Sequence, residues 1–331
     1  LPSPPGRRKV VLATSIAESS LTIEGIRVVI DAGLMRKPYF DPGTGMTRLE
    51  TVRVTADSAA QRRGRAGRVA AGICYRLWSR QEHGSLRPRQ EPEIRAVDLA
   101  PLALQLAVWG IADPGQLQWL DPPPSASFER AQHVLRSLGA VDHANRVTPH
   151  GKELTALGVH PRLGHMLLLG RENDAGALAC QLAALVSERD IVKAPPQQRD
   201  ADVRLRLDLL RGSRDTNLPR RYRNMTVDQA AVHHVQRLTR DLERKLRVKG
   251  GHGTPDDAGR LLALAYPDRV ARRRKGSDTT YVMANGRGAA FRHVEPLAQE
   301  EWLVVAHLDG GGRNAAIHLA APLAEADVRE T

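Results

Sequence analysis

The sequence has little cysteine, few aromatic residues and no long apolar run. Its 331 residues include two cysteines, and aromatic residues make up 4% of the total. Because Cys74 and Cys180 have no CxxC partner, we expect neither a disulfide framework nor a zinc knuckle, and we predict a reducing compartment, the cytoplasm. A wall of base-stacking aromatic side chains is not expected either.

No apolar run approaches the roughly 20 residues that a bilayer span needs, and no signal-peptide pattern is recognisable, so we expect no membrane partner. What the chain has in excess is positive charge. Its 49 Lys and Arg residues against 37 Asp and Glu residues give a formal net charge of +12. That excess favours a polyanionic partner. Nucleic acid ranks first, and an anionic membrane surface ranks second and is not the partner that we expect.

The length permits two or three domains, and a hydrophobic content of 41% permits each of them a core. The chain begins with Leu1 rather than Met. We therefore expect it to be a piece of a longer protein.

The octet QRRGRAGR, residues 61–68, concentrates four arginines. If the octet is helical, the side chains of Gln61, Arg65 and Arg68 share one face at the i, i+4, i+7 spacing. Arg62 and Arg63 then point elsewhere, so the arginines are not equivalent.

Two properties of the octet favour phosphate binding. The planar fork of a guanidinium suits a phosphate better than a point charge does, and Gly64 lets a ligand approach the backbone closely. The alternative is a solvated basic helix that binds nucleic acid loosely or binds nothing.

Short β-branched runs precede the octet. Residues 10–16 and 26–33 are predicted as strands of a buried parallel sheet in an α/β layer, and residues 73–78 as the closing strand. Residues 36–55 read as strand, turn and strand.

After residue 79 the pattern becomes helical. An apolar helix within 95–110 stops at Gly110, a second helix spans 127–142, and 145–158 gives a strand-then-helix signal. This order predicts a winged helix, a module that binds nucleic acid about as often as it serves only for packing.

Residues 161–249 are predicted to be helical throughout. The last helix is predicted to open with a capping box of Thr226 and Gln229 and to end at Gly250–Gly251. Its basic face tracks a nucleic-acid backbone or is simply solvated. That face includes Arg240 and Arg244.

The last part of the chain contains strand-like runs at 279–284, 302–309 and 316–323, with Asn-Gly and Gly-Gly-Gly turns between them. Strands with such turns predict a small antiparallel barrel, such as an OB-like fold.

Four passages resemble one helicase family. Residues 13–33 resemble motif V of the DEAH-box and DEAH-like superfamily 2 helicases, and residues 61–68 followed by GICYRLW resemble their motif VI. Residues 135–168 resemble the passage from winged helix to ratchet in that family. Residues 284–310 resemble the C-terminal portion of the bacterial HrpB helicases, so the likeness covers most of the chain.

The resemblance implies a multidomain fold of the α/β plus α class. It places a partial RecA-like parallel-sheet domain at 1–80 and a winged-helix domain at 81–158. A helical ratchet bundle follows at 159–250. A partial OB-like β domain, expected to be incomplete, occupies 251–331.

In that family ATP binds between two RecA-like domains. By the resemblance, Gln61 would position the attacking water or the γ-phosphate, and Arg65 and Arg68 would contact the γ-phosphate. Arg68 is then the arginine-finger candidate, a group that stabilises the charge developing in phosphoryl transfer.

Other residues follow from the same likeness. Candidates for nucleotide binding or coupling are Glu18, Asp31, Leu34 and Gly64. Candidates for nucleic-acid binding are Thr14, Ser19, Ser20, Thr22, Arg36, Lys37, Arg48, Arg240 and Arg244. Without the resemblance, simple helix capping would explain the Ser and Thr residues. Leu34 stands where many relatives have a base-stacking aromatic, so we expect weak base discrimination and use of NTPs other than ATP.

The sequence contains no GxxxxGK[ST] loop and no DExH box. Both belong to the first RecA-like domain, which we expect upstream of Leu1. The cofactors are expected to be ATP and Mg²⁺, with the magnesium held mainly by that upstream domain and by no metal site in this chain. The chain alone is expected to be inactive.

The leading hypothesis is the C-terminal portion of an ATP-dependent RNA helicase, with single-stranded RNA or DNA and its own upstream RecA-like domain as partners. Two alternatives stay open. One is a non-catalytic RNA-binding or adaptor module, and the other is a DNA-directed helicase, because phosphate contacts do not read base or sugar.

Overall fold

The computed structural model describes residues 9–18, 24–41, 46–68, 70–212, 225–248, 253–293, 295–309 and 314–329. By its internal contacts the chain divides into two compact units. The first comprises residues 1–40 and 47–97, and the second comprises residues 41–46 and 98–331. Within the described ranges, no helix is both long and apolar enough to cross a bilayer.

The elements up to residue 97 alternate strands with short helices. They are β1 (Val28–Asp31), β2 (Leu34–Asp41), β3 (Met46–Arg53), α1 (Ala56–Gly64), β4 (Ile73–Arg76) and α2 (Arg80–Gly84). Strands β1 and β4 run parallel, with Val28 opposite Ile73 and Asp31 opposite Arg76. The predicted parallel sheet is therefore confirmed for these two strands. Strands β2 and β3 pair with each other, as the strand–turn–strand pattern predicted.

The prediction of a strand at 10–16 is wrong. Residues 9–14 adopt no regular structure, and Ser15–Ala17 form a single 3₁₀ turn. The side chains of Val10 and Leu12 are 85% and 95% exposed. A β-branched run forms a strand only where a neighbour pairs with its backbone, and none of the described strands lies beside this one.

Helix α1 carries the first half of the arginine octet. The carboxylate of Asp57 accepts the backbone N–H of Ser58 over 2.7 Å and also the hydroxyl of Thr55, which supports the first turn. The helix ends at Gly64, with Arg65 as its C-cap, and residues 65–67 form a turn. The expectation of a helix through residue 68 is therefore wrong, because two glycines close together weaken the helix at this point.

The second unit begins with helices. Its helices and strands before the barrel are α3 (Ala100–Val108), α4 (Ser125–Ser137), α5 (Pro149–Leu157), α6 (Pro161–Glu172), α7 (Gly176–Ser187), β5 (Val192–Lys193), α8 (Val203–Leu210), β6 (Thr226–Val227), α9 (Gln229–Leu246) and α10 (Ala258–Ala265). Strands β5 and β6 form a short antiparallel pair. The prediction that residues 161–249 are helical throughout is therefore wrong.

Helices α3, α4 and α5 follow the predicted order of helix, helix, hairpin and helix. Gly110 follows α3 with a φ of 82°, and Gly158 caps α5 with a φ of 67°. Between α4 and α5 a single antiparallel bridge joins Val141 to Val147. Both glycines adopt the left-handed conformation that ends a helix most readily.

Helix α7 is the centre of the helical bundle. It packs against α6 and α9, and its residues Leu178, Cys180 and Leu182 are at most 1% exposed. The small apolar residues of α7 therefore form the inside of the bundle. Cys74 and Cys180 are both free thiols, as expected from their isolation in the sequence.

Helix α9 differs from the prediction at both ends. Its N-cap is Asp228, whose carboxylate accepts the N–H of Ala231 over 3.1 Å, while Thr226 belongs to strand β6. At the other end Leu246 is the last helical residue, and Arg247 takes the left-handed conformation with a φ of 58°. The carboxylate of Asp228 caps a helix better than a threonine two residues earlier can.

A closed five-stranded barrel forms the end of the chain. Its strands are β7 (Val270–Arg273), β8 (Thr280–Met283), β9 (Gly288–Ala290), β10 (Trp302–Asp309) and β11 (Asn314–Pro322), and helix α11 (Glu325–Val328) follows. The order around the barrel is β10-β11-β9-β8-β7, closed by pairing of β7 with β10. All pairs are antiparallel except β9 with β11. The predicted small barrel is confirmed, although one of its strand pairs is parallel.

Two barrel strands, β7 and β9, were not predicted. Strand β7 reads Val-Ala-Arg-Arg and β9 reads Gly-Ala-Ala, so Val270 is the single β-branched or aromatic residue in these two strands that would mark a strand. They are strands because their backbones pair with the neighbouring strands of the barrel. Its core includes Tyr281, which is fully buried and donates its hydroxyl to the carbonyl oxygens of Leu297 (3.1 Å) and Glu300 (2.9 Å).

Candidate functional site

Arg62 joins two segments of the first unit that lie far apart in sequence. Its Nε atom donates to Glu18 Oε1 over 2.8 Å, and its Nη1 atom donates to Asp31 Oδ1 over 2.9 Å. The same Nη1 atom lies 3.1 Å from the carbonyl oxygen of Leu34. Glu18 and Asp31 are only 6% and 3% exposed. One guanidinium of α1 therefore forms ion pairs with two buried carboxylates of the segment before it.

Burial and pairing act on Arg62 in opposite directions. Burial alone would lower the pKa of the guanidinium, because it disfavours the charged form. The hydrogen bonds to Glu18 and Asp31 outweigh that effect and raise the pKa of Arg62. Removal of Arg62 would leave the two carboxylates buried without this counter-charge.

Glu18 receives further donors. Arg65 donates through Nη2 to its backbone carbonyl oxygen, and the side-chain amide of Gln90 lies 3.5 Å from Glu18 Oε2. The same amide donates to the buried hydroxyl of Ser58 over 2.6 Å. Residue 18 is thus held by two arginines of the octet and, more weakly, by Gln90.

Asp31 closes the site from the end of β1. Its Oδ1 atom also accepts the N–H of Gly33 over 3.0 Å. Within the described ranges its Oδ2 atom is buried without a hydrogen-bond partner, a condition that is uncommon and is often associated with function. Gly33 has a φ of +74°, and a Cβ atom there would lie 2.7 Å from Cε3 of Trp78. Only glycine fits at this position.

The structure places the three predicted catalytic residues in different local settings. Gln61 is exposed within α1, Arg65 is the C-cap, and Arg68 lies in the bend beyond it. The helical face that these three side chains were predicted to share therefore does not exist, because only Gln61 lies within the helix. A Cβ atom at Gly64 would meet no atom within 4 Å, so the backbone there is accessible to a ligand.

The other predicted residues of the first unit are scattered. Leu34 is 50% exposed, and Arg36 is exposed. Lys37 is half-buried and donates to the carbonyl oxygen of Glu91 over 3.4 Å. Thr14 precedes the 3₁₀ turn without a side-chain capping bond, so capping does not account for it.

Some predictions lie outside the described residues. They concern Ser19, Ser20, Thr22 and the side chain of Arg48.

In the second unit, Arg240 and Arg244 are exposed on α9. Arg244 forms an ion pair with Asp241, whereas Arg240 makes no ion pair or hydrogen bond within the described part of the chain. The opposite face of α9 is buried, through Val235, Leu242 and other residues.

The sequence analysis missed Arg62, Ser58 and Gln90. The signal that could have revealed Arg62 is the pair of acids that the motif V likeness had singled out. Two buried carboxylates require a cation, and Arg62 is one of the two octet arginines, with Arg63, that the helical spacing had set apart. The described residues contain no group of three or more His, Cys, Asp or Glu side chains able to hold a metal ion.

Comparisons with known proteins place the chain among helicases. Residues 3–70 match the family model described as Helicase conserved C-terminal domain. Over 304 residues the chain is 39% identical to ATP-dependent RNA helicase HrpB of Escherichia coli K12, which covers 92% of this chain and 34% of that protein. It is 42% identical over 168 residues to probable ATP-dependent RNA helicase DHX34 of Homo sapiens, covering 51% of this chain and 15% of that protein.

Solved structures agree. Two crystal structures of Escherichia coli HrpB, described as a DExH-box NTPase and as a DEAH/RHA helicase, match with TM-scores of 0.79 and 0.81 at 38% identity. The matches cover 100% and 98% of this chain and 38% of each of those chains. The chain therefore spans little more than a third of the length of Escherichia coli HrpB, although nearly all of its own residues take part in the match.

Proposed function

The chain belongs to the DEAH/RHA helicase family, and we propose that it is the C-terminal portion of an ATP-dependent RNA helicase. The relatives that carry this proposal are named as ATP-dependent RNA helicases. In this role the chain supplies the γ-phosphate face of the nucleotide site and a clamp for the nucleic acid. Strand translocation and unwinding are driven by ATP.

The observation that carries the proposal is the network of Arg62 with Glu18 and Asp31. It ties the motif V segment to the helix that bears the octet, so a change at one is transmitted to the other. Arg65 takes part through the carbonyl oxygen of Glu18. A nucleic-acid contact in the motif V segment would in this way be coupled to the phosphate-binding arginines.

Within the octet we assign Gln61 to positioning of the attacking water or the γ-phosphate, and Arg65 and Arg68 to the γ-phosphate itself. Their donors suit a triphosphate, because a guanidinium binds phosphate oxygens bidentately. ATP supplies the phosphoryl group, with Mg²⁺ held mainly by an upstream domain. Arg68 acts as the arginine finger, and Gly64 provides open backbone beside these side chains.

Four domains are proposed: a partial RecA-like domain at 1–80, a winged helix at 81–158, a ratchet at 159–250 and an OB-like region at 251–331. The helices α3 to α5 with the Val141–Val147 bridge support the winged helix. The strand order of the closed barrel, with its one parallel pair, supports the OB-like region.

The nucleic acid is proposed to be single-stranded RNA, bound by residues of both units. The proposed contacts are Thr14, Ser19, Ser20, Thr22, Arg36, Lys37, Arg48, Arg240 and Arg244. The exposed Leu34 is proposed to give weak discrimination between nucleotide bases, so NTPs other than ATP also serve.

The test is RNA-stimulated ATPase activity of the longer polypeptide that carries this chain behind a P-loop domain. Arg68→Ala should lower kcat by about 10³-fold or more and should leave RNA binding intact. Arg63→Ala is the matched control, since Arg63 is an exposed arginine of the same octet. Binding of RNA without any turnover in the unsubstituted polypeptide would overturn the proposal in favour of an adaptor. Equal stimulation by single-stranded DNA would extend the substrate to DNA.

A further inference from the structure

A cavity of about 410 Å³ lies within the second unit, between its helical part and its barrel. One wall is formed by residues between the end of α7 and the start of α8, and the other by residues of β10 and β11 together with Arg292, His293 and Glu295. A volume of this size is in the range that holds a small organic ligand. It is large enough for one nucleotide.

Part of the lining is apolar. The side chains in question are buried, at 6% exposure or less: Leu185, Ile191, Ala201, Ile317 and Leu319. A lining of this kind favours the flat apolar face of a ring over a fully hydrated ion. His293 and the guanidinium groups of nearby arginines add planar surfaces on which a base can stack.

Cations also line the cavity. Lys193 and Arg292 are already paired, with Asp228 at 2.9 Å and with Asp309 at 2.5 Å. Arg199 is exposed and has neither an ion pair nor a hydrogen bond within the described residues. Its guanidinium is therefore available for a phosphate at low cost in existing contacts.

Two further side chains provide hydrogen-bonding groups. Glu295 accepts the N–H of Ala201 through Oε2 over 2.8 Å, and burial raises its pKa to about 7. His307 lies 2.9 Å through Nε2 from the carbonyl oxygen of Val186, and burial lowers its pKa. A neutral ring that donates through Nε2 keeps a lone pair on Nδ1. The cavity thus offers both an acidic group and a neutral acceptor to the polar edge of a base.

We propose that this cavity binds one nucleotide unit of single-stranded RNA, with the base against the apolar lining near Glu295 and His307 and the phosphate at Arg199. The inference rests on the proposed function, in that RNA is the ligand of the chain. It adds a binding position on the helical side of the barrel, apart from the residues already assigned to RNA.

The test measures binding of a fluorescently labelled single-stranded hexaribonucleotide to the 331-residue chain over a series of salt concentrations. Arg199→Gln should raise Kd by about 3- to 10-fold and lower the slope of log K against log salt by about 0.7, the value for one lost phosphate contact on a single strand. The control is Arg80→Gln, because Arg80 is also exposed and without a partner in the described residues. It should change neither quantity.

A second variant tests the cavity by filling it. Ala194 lines the cavity and is only half-buried, so Ala194→Trp should weaken RNA binding at least as much while the melting temperature stays unchanged. Unaltered affinity and slope in both variants would overturn the inference, and the RNA-helicase proposal would survive. If the unsubstituted chain does not bind RNA, this inference and the RNA-binding part of the proposed function are both overturned.

Competition by free nucleoside monophosphates shows whether the cavity binds part of an RNA strand or a free nucleotide. If the cavity takes part of a strand, the monophosphates should compete only weakly, at millimolar concentration, and their competition should be lost in Arg199→Gln. Suppose that a monophosphate binds tightly through Arg199, while RNA binding does not depend on Arg199. The ligand of the cavity would then be a free nucleotide, and the proposal of a bound RNA strand would be overturned.

Discussion

Nη1 of Arg62 lies 2.9 Å from Oδ1 of Asp31, in a site where the aspartate side chain is only 1% exposed. A carboxylate so buried requires its cation, and replacement of Arg62 would leave it unpaired. The pair joins the end of β1 to the last turn of α1. Arg62 is therefore a positioning residue for the octet, whatever ligand the octet binds.

Arg62→Ala should destabilise the contact between the 9–41 segment and α1 by about 2–4 kcal/mol, because two buried carboxylates lose their counter-charge. Hydrogen exchange followed by mass spectrometry should show faster exchange in peptides from 9–41. Arg62→Lys should recover part of the protection, since it keeps the charge but not the fork. Arg63→Ala is the control.

A double-mutant cycle decides whether the effect comes from the pairing. Arg62→Ala and Glu18→Gln should be clearly less than additive in their effects on exchange, because each removes the same contact. Additive effects would mean that Arg62 acts through some other contact.

Gly64→Ala should stabilise the chain by about 0.5–1 kcal/mol, since alanine is the better helix former and a Cβ atom there meets nothing within 4 Å. Gly33→Ala should do the opposite, by about 1–3 kcal/mol, because of its φ of +74° and its contact with Trp78. Thermal unfolding of the two variants measures this difference.

Gly64 also tests the ligand site. If a phosphate approaches the backbone there, Gly64→Ala should lower the RNA-stimulated ATPase activity of the longer polypeptide although the protein is more stable. Full activity in that variant would contradict the prediction that a ligand comes close to Gly64.

The sequence identified the acids of this site but not their partner. Glu18 and Asp31 came from the likeness to motif V, and the octet came from its composition. Which arginine meets the acids depends on where the 13–33 segment lies relative to α1, and local spacing contains no information on that. The same spacing assumed a helix through Arg68, whereas the glycines end it at Gly64.

The barrel illustrates the same division. Strand β10 occupies the predicted residues 302–309, because its apolar run pairs on both sides, with β7 and with β11. Strands β7 and β9 could not be found, because apart from Val270 their Ala, Arg and Gly residues do not favour a strand by themselves. Residues 10–16 show the converse, since a β-branched run without a paired neighbour remains irregular.

The basic face of α9 permits a comparison of two arginines. Arg240 has no partner in the described part of the chain, whereas Arg244 is paired with Asp241. If α9 contacts RNA, Arg240→Gln should weaken binding more than Arg244→Gln and should reduce the salt slope by about 0.7. Fluorescence anisotropy with a labelled single strand measures both. Equal small effects would mean that this face is only solvated.

Glu295 should make stability depend on pH between about 4.5 and 7. Burial raises its pKa to about 7 in the folded chain from the ordinary value of 4.5. The stability it contributes is present below the unfolded pKa and is lost as the pH rises through the folded one. Glu295→Gln should remove that loss, about 1–2 kcal/mol after allowance for partial exposure.

Melting temperatures at pH 5.5 and pH 8 measure the effect of Glu295→Gln. Relative to its value at pH 5.5, the melting temperature at pH 8 should be higher in the variant than in the unsubstituted chain. Glu300→Gln, at an exposed glutamate, is the control and should not change it. An unchanged difference in Glu295→Gln would show that the carboxyl is solvated when folded.

His165 should make the chain sensitive to acid in a separate range. Its Nδ1 atom lies 2.9 Å from Nε2 of His150, so one ring donates and the other accepts, and burial lowers the pKa of His165 to about 4. The stability of a histidine with a depressed pKa is present above 6.5, its unfolded value, and is lost as the pH falls through 4.

Between pH 7 and pH 5 this loss should amount to about 1–2 kcal/mol. His165→Gln keeps a group that can bond to His150 but does not titrate, so its unfolding free energy should fall less over that range. His143→Gln, at an exposed histidine, should fall as much as the unsubstituted chain. Denaturant unfolding at the two pH values measures all three, and equal losses in all of them would show that His165 is protonated without cost in the folded state.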